Sequence, residues 1–117
     1  MKIRTRRIYD SPSRMDGYRI LVDRLWPRGI SKDDADLDEW CKNLAPSDKL
    51  RKWFGHDPER WPEFVQRYTR ELDAKKDLVI EILDRSPKET ITLLYAAKDA
   101  EHNNAAVLKT FIETNIS

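Results

Sequence analysis

The chain predicts a small three-layer α/β domain, with a short, mainly parallel sheet flanked by helices. Two apolar runs carry that expectation. Ile20-Leu21-Val22 is a continuous apolar run, as in a strand buried on both faces, and Thr90 to Ala97 reads as a second buried strand. The third observation is the helical spacing of apolar residues between and after them. At 117 residues the expectation is one domain, 1–117, with a real hydrophobic core.

The elements follow in order. Lys2 to Tyr9 contains β-branched and aromatic residues with interspersed arginines, so it predicts a strand near a sheet edge. DSPSRMDGY is rich in turn formers. The buried strand Ile20–Val22 comes next, and Pro27 and Gly29 end its extension. The stretch 31–46 is ambiguous. Leu37, Trp40, Cys41 and Leu44 stand at helical spacing, but Pro46 stops the segment early. Ser47 is placed to cap a helix DKLRKWF that Gly55 terminates. Either Asp57-Pro58 or Pro62 starts the next helix. Its stripe is Trp61, Phe64, Val65, Tyr68 and Leu72, followed by Leu78, Val79, Ile82 and Leu83 beyond a break near Lys75 to Asp77. Ser86-Pro87 ends that helix, and Ala105 to Ile112 forms the last one.

Charge and cysteine content narrow the classes. The formal net charge of +1 does not indicate a generally basic nucleic-acid binder. With Cys41 as its only cysteine the chain forms no internal disulfide, which fits a reducing compartment. The amino-terminal segment lacks the apolar run of a signal peptide, and no segment is apolar enough to span a bilayer, so a cytoplasmic location is expected. There is no Walker-type loop, G-x-G-x-x-G or G-x-S-x-G. The two histidines and one cysteine have no zinc-like spacing, so neither metal nor cofactor is expected.

In parallel sheets, ligands bind outside the carboxyl ends of the strands. That rule selects VDRLWPRGISK and AKDAEHNNA. The first supplies Asp23, Arg24, Trp26, Arg28 and Lys32, and the second supplies Lys98, Asp99, His102, Asn103 and Asn104. Arg24, Arg28 and Lys98 suit a phosphate, sulfate or carboxylate, with the helix start at Asn103 and Asn104 adding unsatisfied N–H groups. Trp26 offers a stacking surface, and Asp23 and His102 are the proton-transfer candidates. Plainer roles stand beside these: an asparagine as helix cap, Lys98 and Asp99 as a surface ion pair, and Asp23 as an organiser of its turn. At WFGHDPERW a His56–Asp57 pair competes with a simple helix junction, which the caps favour. Cys41, on an apolar stripe, is a weak nucleophile candidate.

VDRLWPRGISK, LAPSDKLRKWFGHDPERWPEF and LLYAAKDAEHNNAAVL together resemble the YeaO-like branch of the domain of unknown function 488 family. The resemblance covers nearly the whole chain. It implies a small α/β fold with a short parallel sheet and an extended third segment, which favours a short strand around Leu37 to Trp40. Other branches are similar to a pattern C-A-x-K-D-x-E-x-C-H-R at the last strand end. Here Tyr95, Asn103, Asn104 and Ala105 stand in place of its two cysteines, histidine and arginine, while Lys98, Asp99 and Glu101 remain. Thiol chemistry is therefore not implied for this chain. Three function classes follow: a binder, with or without turnover, of an anionic or phosphorylated small molecule; a protein-interaction module anchored by Trp26 or Trp40; and a nucleic-acid binder using Arg4 to Arg7. The first is the leading expectation; oligomeric state is left open.

Overall fold

The computed structural model describes residues 1–116. Four strands form one sheet in the order β1-β4-β2-β3, and every pairing is parallel. They are β1 (Lys2–Arg7), β2 (Tyr18–Leu21), β3 (Glu39–Trp40) and β4 (Thr90–Tyr95). Five helices accompany them: α1 (Lys32–Ala35), α2 (Asp48–Phe54), α3 (Trp61–Ala74), α4 (Lys76–Asp84) and α5 (Asn104–Asn115). The expected α/β class and parallel sheet are observed, and β1 lies at the sheet edge. None of the described helices is long and apolar enough to cross a membrane.

The two faces of the sheet are covered differently. Ile3, Ile20, Val22, Ile91, Leu93 and Tyr95 join buried residues of α2 to α5 in the large core. Ile8, Leu21 and Leu94 point the other way and pack with Ala35 of α1 and with Trp26, Ile30, Leu37 and Trp40. The second layer is thus one short helix and its flanking loops. Both layers remove apolar side chains from water, which is the main force holding the sheet between them.

Local capping explains the helix boundaries. Ser47 Oγ accepts from Leu50 N–H, and Gly55 closes α2 in the left-handed region. Both sequence options for the next start are used. Asp57 caps a 3-10 turn over Pro58–Arg60, and Pro62 then sits in the first turn of α3. The chain breaks at Lys75, between α3 and α4, as the pattern predicts.

The stretch 31–46 departs from its helical spacing. Ser31 caps a helix that Asp36 ends after one turn at φ 49°. Glu39 and Trp40 then pair with Ile20 and Leu21, and Lys42–Leu44 form a 3-10 turn. The short strand implied by the family resemblance is correct here. Backbone pairing to β2 outweighs a weak four-residue apolar period.

A buried carboxylate organises the thin face. Asp16 is fully buried. It accepts from Arg6 at 2.8 and 2.9 Å and from Arg19 at 2.5 Å, with Arg4 3.7 Å away. Burial alone would raise its pKa, but the Ser13 N–H and the Arg6 and Arg19 hydrogen bonds outweigh that and hold it below the ordinary range. The Thr92 hydroxyl donates to the Asp16 carbonyl at 2.7 Å, tying this turn to β4. Next to it Gly17 has φ 64°, and a Cβ there would stand 2.1 Å from the Thr90 carbonyl oxygen. Arg4 and Arg6 share one strand face, as the alternation predicts, and are spent on this internal contact.

Candidate functional site

The connections after β2 and β4 leave the sheet on opposite sides. After β2 the chain turns to the thin face, where Trp26, Ile30 and Ala35 pack. After β4 it turns to the thick face, where Ala105, Val107 and Leu108 of α5 are buried. β2 and β4 are neighbours, so a crevice opens between their carboxyl ends. It is a cleft of about 760 Å³.

Nine of the ten rim residues expected from the sequence line this cleft: Asp23, Arg24, Trp26, Arg28, Lys98, Asp99, His102, Asn103 and Asn104. Lys32 does not; it is the exposed first residue of α1. The sequence reading missed Arg7, Arg51 and Lys52, and weighed His56 only as a partner of Asp57; all four also line it. Arg7 ends β1, and the strand-end rule applied to a third parallel strand would have found it. Arg51 and Lys52 come from α2, far in sequence from both loops, and only the tertiary fold brings them here.

The two asparagines have different tasks. Asn103 is the expected cap: its Oδ1 accepts from Ala106 N–H at 2.9 Å, and its amide donates to the Asp99 carbonyl at 3.0 Å. Asn104 donates to the Val22 carbonyl at 2.8 Å and to Asp23 Oδ1 at 3.1 Å. Asp23 Oδ2 accepts from Ala96 N–H at 2.9 Å. Burial raises the Asp23 pKa, against the opposing pull of the Ala96 N–H, Asn104 and His56. Asp23 thus organises the turn and joins the ends of β2 and β4 to the start of α5.

Asp99 and Lys98 do not form an ion pair. Asp99 instead holds His102 Nδ1 at 2.8 Å and accepts from the N–H groups of Glu101 and His102. Those contacts, the Glu101 N–H foremost, bring its pKa down to about 2. The His102 ring meets the Trp61 ring edge-on at 5.0 Å. His56 and Asp57 make no pair either: Asp57 caps its turn, and His56 is held at φ 58° just past Gly55. Trp26 is fixed by an indole hydrogen bond to the Ile30 carbonyl at 2.9 Å and by a T-shaped contact with Trp40 at 5.3 Å. Trp26 and Trp40 therefore pack on each other rather than standing out as free anchors.

The charge of the lining is uneven. Arg7, Arg24, Arg28, Arg51, Lys52 and Lys98 face two carboxylates, Asp23 and Asp99. Both carboxylates are engaged by hydrogen bonds from the protein itself. Arg24 donates to the Pro46 carbonyl and Arg7 to those of Ala96 and Ala97. Arg51 and Lys52 pair with Asp48, yet Arg51 Nε is enclosed without an acceptor. Among the described residues, Arg28 and Lys98 make no side-chain hydrogen bond or ion pair. Among the described residues, none that lines the cleft is Cys, Ser, Thr or Tyr. Cys41 lies in the core instead, where burial and the Glu39 carboxylate push its thiol pKa far up. No group of three or more His, Cys, Asp or Glu able to hold a metal is found among the described residues.

The family model described as the inactive DUF488-N3 subclade matches residues 2–117. The chain belongs to this family. The uncharacterized protein YeaO of Escherichia coli K12 is 43% identical over 114 residues, 97% of this chain and 99% of YeaO. The uncharacterized protein Rv3073c of Mycobacterium tuberculosis H37Rv and Mb3100c of Mycobacterium bovis are each 41% identical over 107 residues, 92% of this chain and 90% of theirs. No solved structure matches. Membership in the family is thus shown along nearly the full chain, and the relatives' names assign no activity. In this chain Asn103 caps α5, Asn104 braces it to β2 and Ala105 packs in the core.

Proposed function

We propose that this protein binds an anionic or phosphorylated small molecule in the cleft at the carboxyl ends of β1, β2 and β4, and holds it without turning it over. One observation carries the reading. Six cationic side chains from four separate segments surround a cleft whose two carboxylates are already occupied. Unpaired Lys98 and Arg28 are the first-contact groups, with Arg as the bidentate clamp and Lys as the point charge. The helix start at Asn104 adds the favourable end of a twelve-residue helix dipole.

Two facts support binding without turnover. The matching family model carries the word inactive in its description. Among the described residues the cleft has no thiol or hydroxyl nucleophile, and both oxygens of Asp23 are spent on the protein's own donors. A second reading, turnover with His102 as base, rests on the Asp99 contact that orients its ring.

A thermal-shift screen against phosphate, sulfate, nucleotides and sugar phosphates tests the proposal. A ligand at one hundred times its Kd stabilises the fold by about 2.7 kcal/mol. The expected result is a shift in wild type that Lys98→Ala and Arg28→Ala reduce. Absence of any shift, or an equal shift in both variants, overturns the reading. Recovery of the bound compound unchanged separates binding from turnover.

A further inference from the structure

We infer that the ligand of this cleft is amphipathic: an anionic head carried on an apolar body of ring size or larger. This inference rests on the anion-binding proposal and adds the chemical class. A bare tetrahedral oxyanion fills a small part of about 760 Å³, a volume typical of sites that enclose drug-sized molecules. Beside the cations and the polar groups already described, apolar side chains line it: Leu25, Trp26, Pro27, Pro46, Phe54 and Phe64.

Three of the six cations are more exposed than the aromatic side chains of the lining. Arg28, Lys52 and Lys98 are exposed and stand at the mouth. Phe54 and Phe64 are 6% and 2% exposed, stacked at 4.4 Å, and form the inner wall. Trp26 is held rigidly by its indole hydrogen bond and by Trp40, so it presents ring surface at little entropic cost on binding. Leu25 is 59% exposed, a large apolar side chain left in water at the cleft. The body therefore enters between the aromatic walls while the head remains with the cations outside.

Isothermal titration calorimetry with inorganic phosphate, 1-naphthyl phosphate, octyl phosphate and 1-naphthol decides the question on wild type, Leu25→Ser and Lys98→Ala. Leu25 is solvent-exposed, so its replacement leaves the fold intact. The expected result is that one or both organic phosphates bind at least tenfold more tightly than inorganic phosphate. Leu25→Ser should weaken the organic phosphates about threefold or more and spare inorganic phosphate, while Lys98→Ala weakens all three anions. Equal affinity for inorganic and organic phosphates, or no effect of Leu25→Ser, overturns the amphipathic ligand and leaves anion binding standing. Naphthol binding as tightly as naphthyl phosphate, or no binding by any of the three anions, overturns both.

Discussion

Asn104 and Asp23 lie 81 residues apart, and the Asn104 amide joins Asp23 Oδ1 at 3.1 Å and the neighbouring Val22 carbonyl at 2.8 Å. One side chain thus fastens the start of α5 to the end of β2. Asn104→Ala should cost about 1–2 kcal/mol at pH 7, since two acceptors lose a donor. The Asp23 pKa is raised by burial, so stability tied to this group falls as pH rises from the ordinary carboxylate value through the folded one. Removing a hydrogen bond to the ionised form raises that pKa further. The deficit of Asn104→Ala should therefore shrink on acidification without vanishing, because the Val22 contact is lost at every pH. Urea unfolding of both proteins at pH 7 and pH 4 measures it; a deficit independent of pH would remove Asp23 from the account.

Asp16 makes the opposite pH contribution. Its folded pKa is depressed, so its stabilisation is present above the ordinary carboxylate value and is lost as pH falls through the folded one. Asp16→Ala leaves Arg19, 5% exposed, without its ionic partner and should cost about 3 kcal/mol at neutral pH. The acid limb of its stability curve should also be shallower than that of wild type. Equilibrium unfolding between pH 2 and pH 7 reads both; a loss below about 1 kcal/mol would show that Arg4, Arg6 and Arg19 find other acceptors.

Gly17 is constrained by approach as well as by φ. Gly17→Ala brings a methyl group to 2.1 Å from the Thr90 carbonyl oxygen, so β4 or the turn at Asp16 must shift. The cost should be about 3 kcal/mol, combining overpacking with left-handed strain. Gly29→Ala is the control, since its Cβ meets nothing within 4 Å and only the φ of 77° is unfavourable. Thermal unfolding should rank Gly17→Ala well below Gly29→Ala.

Asp99 should titrate with a midpoint of about 2 in carbon-detected NMR. In His102→Ala that midpoint should move upward, though short of the ordinary value, because the N–H groups of residues 101 and 102 remain. An unmoved midpoint would mean that the imidazole does not reach the carboxylate in solution.

Much of the candidate site was legible before the structure. Parallel strands end on a common rim, and the residues following such strands are contiguous in sequence, so 23–28 and 98–104 could be read directly. Caps at Ser47, Gly55 and Asp57 were legible for a similar reason: each depends on a few neighbouring backbone groups.

Other features depend on contacts between distant residues. The helical spacing at Leu37 to Leu44 yielded to pairing with β2, which a local pattern does not register. The last strand inserts between the first and second, and this alone brings Arg7 to the same cleft as Asp23 and Lys98. Arg51 and Lys52 arrive on a helix packed from the thick face, and the arginines of RTRR, which looked like a basic patch, are spent on Asp16 and on the carbonyls of Ala96 and Ala97 just past β4. By itself the sequence determined the α/β class, the family and most of the rim, because those follow from periodicity, motif and chain proximity. Tertiary structure decided strand order, the partners of each charge and the depth of the apolar walls, because burial and charge pairing are properties of residues brought together from far apart in the chain.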